Sequence, residues 1–173
     1  MIGSGHLRGK RVLVTGGTTG IGRATVALLG QHGARVVTFG RHEKELADAL
    51  RYSGQFGEVH GLIADASEAA GVERVYQAVE ANLAGLDILV ACAALGAHPI
   101  HEMSDHDWRY AIEPGSTGSD MRECDPPEQR DLIGQHRMLR AEQVAEAILF
   151  VLTREENCDI VSLRIEPRLQ KGG

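Results

Sequence analysis

Apolar residues recur along this chain in short continuous runs, separated by longer stretches with helical spacing. Arg11–Thr15 is a β-branched run of the kind that lies in a buried parallel strand. A helix is predicted over residues 20–32, with Ala24, Ala27, Leu28 and Gln31 at helical spacing and Gly33 as its stop. A second strand follows at 34–39, then a helix at 43–52 with Leu46 and Leu50 on one face. Residues 59–64 read as a third strand. Ser67 is predicted to cap a helix carrying Val72, Val75, Val79 and Leu83, which Gly85 ends. Residues 86–93 make a fourth strand. Strands alternating with helices at this rhythm predict an α/β fold, a parallel sheet covered on both faces.

Beyond Ala94 the rhythm fails. Ser104 to Asp107 reads as a helix start leading into Trp108, but Pro114 and Gly115 stop it within two turns. Roughly two dozen weakly periodic residues follow, an uncommon length for a plain loop, with one short helix predicted at 127–136. A clear helix returns at 141–153, with Val144, Ile148 and Leu152 in a stripe, and a last strand is predicted at 159–165. No repeat or linker interrupts the 173 residues, so residues 1–173 are expected to form one domain. A chain of this length buries about 70% of its unfolded surface in a single core.

The net charge of −6 argues against nucleic acid or an anionic membrane as the main partner, while leaving room for a small anionic ligand. Cys92, Cys124 and Cys158 are odd in number and widely spaced, neither a disulfide framework nor a zinc-site pattern. Residues 1–10 lack the apolar core of a signal peptide, and no stretch is apolar enough for a membrane span. These readings lead us to expect a cytoplasmic protein without a bound metal.

The candidate chemistry starts at the first strand–helix turn. Thr15-Gly-Gly-Thr-Thr-Gly-Ile-Gly22 puts glycines at 16, 20 and 22, and Thr18, Thr19 and Ile21 fill the rest of the loop. A turn that lets a diphosphate approach the backbone needs positions without Cβ, and the helix start then offers unpaired N–H donors. A tight turn with no ligand is the plainer alternative. At the end of the second strand stands Phe39-Gly-Arg-His42 rather than a carboxylate. Nothing there repels a ribose 2′-phosphate, and Arg41 can pair with one, which favours NADP with NAD as the alternative. Arg41 as a solvated loop residue is the bland reading.

Three residues between Gly16 and Gly20, together with Pro114-Gly-Ser-Thr-Gly-Ser119 and the closing helix and strand, carry a family likeness. Over nearly its full length the chain resembles the short-chain dehydrogenase/reductase family. The resemblance implies a shortened Rossmann-like, doubly wound parallel sheet of about five strands, with order 3-2-1-4 plus the C-terminal strand. It implies Asp65 beside the adenine ring, Ala93 beside the ribose, and Pro114, Gly115 and Ser119 at the nicotinamide carboxamide. Ala91-Cys-Ala-Ala94 stands where the family has Asn-Asn-Ala-Gly, and Ser119 where it has Thr.

The family's proton-handling groups have no counterpart. None of Tyr52, Tyr76 and Tyr110 has Lys four residues on, and Pro114 coincides with the expected Asn. From Ile112 the chain passes straight to the loop that should follow the sixth strand, as if a strand–helix–strand unit of about 30 residues were missing. The replacement candidates are Cys92 at the end of the fourth strand, His98 and His101. Each also has a plainer reading, as a small buried hydrophobe for Cys92 and as solvated loop residues for the histidines. Three function classes follow: an oxidoreductase with its missing groups supplied from elsewhere, a non-redox cyclase, isomerase or dehydratase, and a non-catalytic coenzyme-binding protein. A fourth reading restores an ordinary reductase through an internal segment absent from this chain. With two strands fewer, the final strand must close against strand four or pair with another subunit, and a homodimer acting on a small molecule is expected.

Overall fold

The computed structural model describes residues 7–93, 117–118 and 126–154. Four strands form one parallel sheet: β1 (Arg11–Thr15), β2 (Arg35–Gly40), β3 (Val59–Ile63) and β4 (Ile88–Ala91), in the order β3-β2-β1-β4. Helices α1 (Gly20–Gln31), α2 (Glu43–Ser53) and α3 (Ala69–Leu83) connect them. Beyond β4 lie a two-residue strand β5 (Thr117–Gly118), helix α4 (Pro126–Gly134), a second short strand β6 (Leu139–Arg140) parallel to β5, and helix α5 (Ala141–Leu152). The predicted sheet order therefore holds, and so does its α/β class. The predicted helix start at Ser104 and the strand at 159–165 lie outside the described residues.

The sheet separates two apolar layers because successive strand residues point to opposite faces. On one face Val12, Val14 and Val36 meet Val26 and Leu29 of α1 and Leu149 of α5. On the other, Val37 packs with Val79 and Leu83 of α3, and Phe39 with Val75. Central β2 is buried on both faces, which is why its sequence is a continuous run rather than an alternation. Its buried polar side chain, Thr38, donates its hydroxyl hydrogen to the Val14 carbonyl at 2.8 Å, so the buried group is satisfied.

Some details differ from the sequence expectation. Glu68, not Ser67, is the N-cap of α3, and Ser67 instead donates its N–H and hydroxyl to the Asp65 carboxylate at 2.9 and 2.8 Å. A carboxylate two residues upstream is the stronger local acceptor, and it closes an Asx turn. Val72 is 53% exposed, because the line packed on the sheet is Gly71, Val75, Val79 and Leu83. In α1 the sheet-facing residues are Thr25, Val26 and Leu29, whereas Ala24 and Leu28 line a groove toward α5. That helix is packed on two sides, so its spacing reports both neighbours at once.

Ion pairs hold the amino-terminal ends of the strands. Arg11 donates from Nη2 to Asp87 Oδ1 at 2.7 Å, and from its backbone N–H and Nε to Oδ2 at 2.8 and 3.1 Å. Its Nη1 also reaches the carbonyl of Ala84, the left-handed residue that ends α3, at 2.8 Å. Side-chain and then backbone hydrogen bonds from Arg11 hold the Asp87 carboxyl well below the usual carboxylate range. Hydrogen bonds from Arg35 and then His60 push Glu58 down to about 2. A carboxylate with a folded-state pKa below its unfolded value stabilises the fold at pH above the unfolded value, and that contribution fades as pH falls through the folded one. Melting temperature is therefore expected to drop on acidification from about pH 5 toward pH 2, with a shallower slope in Asp87→Asn. Thermal melts across that range, with parallel curves for the two proteins, would remove Asp87 from the account.

Candidate functional site

The crevice at the carboxyl ends of β1 and β4 is where the sheet changes direction of winding, since β2 and β3 lie to one side of β1 and β4 to the other. Thr15, the last residue of β1, joins the two strands there. Its hydroxyl oxygen accepts the N–H of Cys92 at 3.0 Å and of Ala93 at 2.9 Å. Sequence reading missed this residue, although its place at the strand end was visible.

The glycine turn then rises over the crevice. Gly16 and Gly20 have positive φ, 64° and 49°, which L side chains rarely adopt. A Cβ on Gly16 would stand 2.8 Å from the Cα of Ala93, so the turn lies directly on the end of β4. Thr18 is buried, and a Cβ on Gly40 would come within 2.6 Å of its hydroxyl oxygen, which brings the turn against the end of β2 as well. Thr19 is the N-cap of α1, in extended conformation and without a side-chain hydrogen bond to the helix. No acidic residue stands in the first turn. The helix start thus keeps N–H donors and the positive end of its dipole free of an internal acceptor, the electrostatics of an anion site.

Beside the turn, Arg41, Ile63, Ala64, Asp65, Glu68 and Arg74 line a shallow cavity of about 220 Å³. Hydrogen bonds from Ser67, backbone first, lower the Asp65 carboxyl, with the nearby charge of Arg41 acting in the same direction. Asp65 therefore stays ionised at neutral pH. The structure thus gathers Gly16, Thr18, Thr19, Gly20, Ile21, Gly22 and Ala93 at the crevice, and Arg41 with Asp65 in the adjoining cavity. Pro114, Gly115, Ser119, His98 and His101 lie outside the described residues.

Cys92 is half-buried against the first core layer. Burial pushes its thiol up to about 11, against a smaller opposing effect of a hydrogen bond with Thr25. A thiol so placed stays protonated at neutral pH, which favours its reading as a small core hydrophobe over a nucleophile. Among the described residues no group of three or more His, Cys, Asp or Glu is placed to hold a metal ion. Among them, too, no helix is long and apolar enough to cross a membrane.

Comparison with known proteins agrees with this geometry. The family model described as short chain dehydrogenase matches residues 10–120. A short chain dehydrogenase of Pseudocercospora fijiensis is 38% identical over 94 residues, which are 53% of this chain and 30% of that protein. The (5R,7aS)-5-hydroxy-7a-methyl-1-oxo-2,3,5,6,7,7a-hexahydro-1H-indene-carboxyl-CoA reductase of Mycobacterium tuberculosis is 33% identical over 66% of this chain and 45% of its own length. The chain thus spans less than half the length of these curated relatives. Among solved structures, a metagenomic short-chain oxidoreductase in complex with NADP superposes with a TM-score of 0.68 at 20% identity, covering 95% of this chain and 100% of that one. At that identity the likeness is one of fold.

Proposed function

Because this chain belongs to the short chain dehydrogenase family, we propose that it binds NADP(H) across the crevice between β1 and β4, with NAD(H) the weaker ligand. The observation that carries this is the head of α1, an uncapped helix start beneath a turn whose glycines leave no Cβ between backbone and ligand. Gly16, Thr18, Thr19, Gly20, Ile21 and Gly22 would hold the diphosphate, and Ala93 would border the ribose. Asp65 would meet the adenine and Arg41 the 2′-phosphate. The family resemblance adds Pro114, Gly115 and Ser119 at the nicotinamide end. The preference for NADP rests on Arg41 and on the lack of a carboxylate at the end of β2, where a ribose 2′-hydroxyl would otherwise be held.

When bound, the nicotinamide ring supplies or accepts a hydride in exchange with a carbonyl or alcohol carbon. The residues of this chain orient that ring and neutralise the diphosphate. A second reading, coenzyme binding without the usual turnover, is favoured by one sequence fact: none of Tyr52, Tyr76 and Tyr110 is followed four residues later by Lys. We also read residues 1–173 as one coenzyme-binding domain. Its pairing with a second copy along β4 is supported by the open outer edge of that strand among the described residues and by Leu89, 59% exposed. A monomer by sedimentation at micromolar concentration would end the pairing idea.

Calorimetric titration of the full chain with NADPH and NADH tests the coenzyme reading. NADPH is expected to bind severalfold tighter, and Arg41→Glu to reverse the order. If neither coenzyme binds at millimolar concentration, the reading fails. Binding followed by NADPH consumption with a panel of carbonyl compounds supports the oxidoreductase, and binding without consumption selects the second reading.

A further inference from the structure

The cavity beside Asp65 is lined by two arginines, and the glycine turn accounts for neither. Arg41 borders it from the end of β2 and Arg74 from the second turn of α3. Helix α3 comes this close because residue 71 is glycine. A Cβ there would run into the Asp65 carbonyl oxygen and stand 3.1 Å from the Asp65 carbonyl carbon and nitrogen. Arg74 is three residues further on, hence on the same side of the helix and one turn along.

The two arginines differ from their neighbours. Arg11, Arg35 and Arg51 are held by Asp87, Glu58 and Asp48, whereas Arg41 and Arg74 form no ion pair among the described residues. Asp65 is held by both hydrogen bonds from Ser67. Both bonds fall on its Oδ1, and among the described residues Asp65 forms no ion pair with either arginine, so it balances charge in the cavity from a distance. Ile63, 42% exposed, adds an apolar wall where the other side chains are mostly charged, a surface suited to a flat heterocycle.

We propose that Arg74 is a specificity-determining residue that, with Arg41, selects the 2′-phosphorylated coenzyme. The inference rests on the coenzyme reading above. Asp65 and Glu68 offset the two arginines when the ribose is unphosphorylated, so NAD(H) gains little from Arg74. A phosphate monoester adds a doubly charged acceptor, and a guanidinium binds it through paired N–H donors.

The test is calorimetric titration of the full chain with NADPH, NADH and adenosine 2′,5′-bisphosphate, comparing wild type with Arg74→Gln and Arg74→Lys. Circular dichroism verifies that each variant is folded. Arg74→Gln is expected to weaken NADPH and the bisphosphate by about tenfold while NADH stays within about twofold, with partial recovery in Arg74→Lys. Equal weakening of both nicotinamide coenzymes, or no change in either, overturns the role of Arg74 and leaves the coenzyme reading standing. Wild-type protein that binds neither coenzyme overturns that reading, and this inference with it.

Discussion

Gly22→Val is expected to abolish coenzyme binding and to destabilise the fold, the largest effect of any single change in the turn. A Cβ at position 22 would run into the carbonyl oxygen of Gly16, and it would lie 2.9 Å from the Gly16 carbonyl carbon and 3.0 Å from the Gly17 Cα. All three are backbone atoms, so no side chain can swing aside to make room. Either α1 moves away from the strand end or the turn is rebuilt, and both displace the N–H groups that would face the ligand. Overpacking of this kind costs about 1–3 kcal/mol, and a branched valine stands at the upper end. NADPH titration and urea denaturation measure the two consequences separately. Gly134→Ala is the control, since a Cβ there meets nothing within 4 Å. Near-wild-type NADPH affinity in Gly22→Val would mean that the turn does not carry the coenzyme.

Leu29→Ala is expected to cost about 2–5 kcal/mol, a large share of the 5–15 kcal/mol that holds a typical domain together. Leu29 is 1% exposed and belongs to the layer of Leu7, Val12, Val14, Val26, Val36 and Leu149 between the sheet and the two helices α1 and α5. Truncation leaves a cavity that neither the sheet nor α5 can fill without breaking other contacts. Leu86→Ala, at an exposed position, should change stability by no more than about 0.5 kcal/mol. Urea denaturation of both variants checks the contrast. Equal midpoints would show that this layer is not the main apolar core.

Much of the proposed coenzyme site is readable from local sequence, for a physical reason. A glycine-spaced turn between a β-branched run and a helix leaves few backbone solutions, and the uncapped start of α1 follows from them. Arg41 is legible because it stands at the end of β2, where side chains of a parallel sheet reach the crevice, and Asp65 through the family resemblance. Arg74 is not, because it comes from the second turn of a helix and joins Arg41 only through the contact that Gly71 allows. The strands β5 and β6 are also invisible to pattern reading, as two residues each are too few to show a period.

By itself the amino-acid sequence determines the class of this protein: an α/β chain, its first four strands and three connecting helices in order, and a glycine turn at the head of α1. These follow from spacing within a few residues, which sterics and burial dictate locally. The tertiary structure alone decides that the Thr15 hydroxyl ties β1 to β4, that Cys92 packs into the core, that Val72 is left exposed and that two arginines share one cavity. Each of these depends on groups far apart in the chain. Their meeting is set by how whole elements pack, and no local period encodes it.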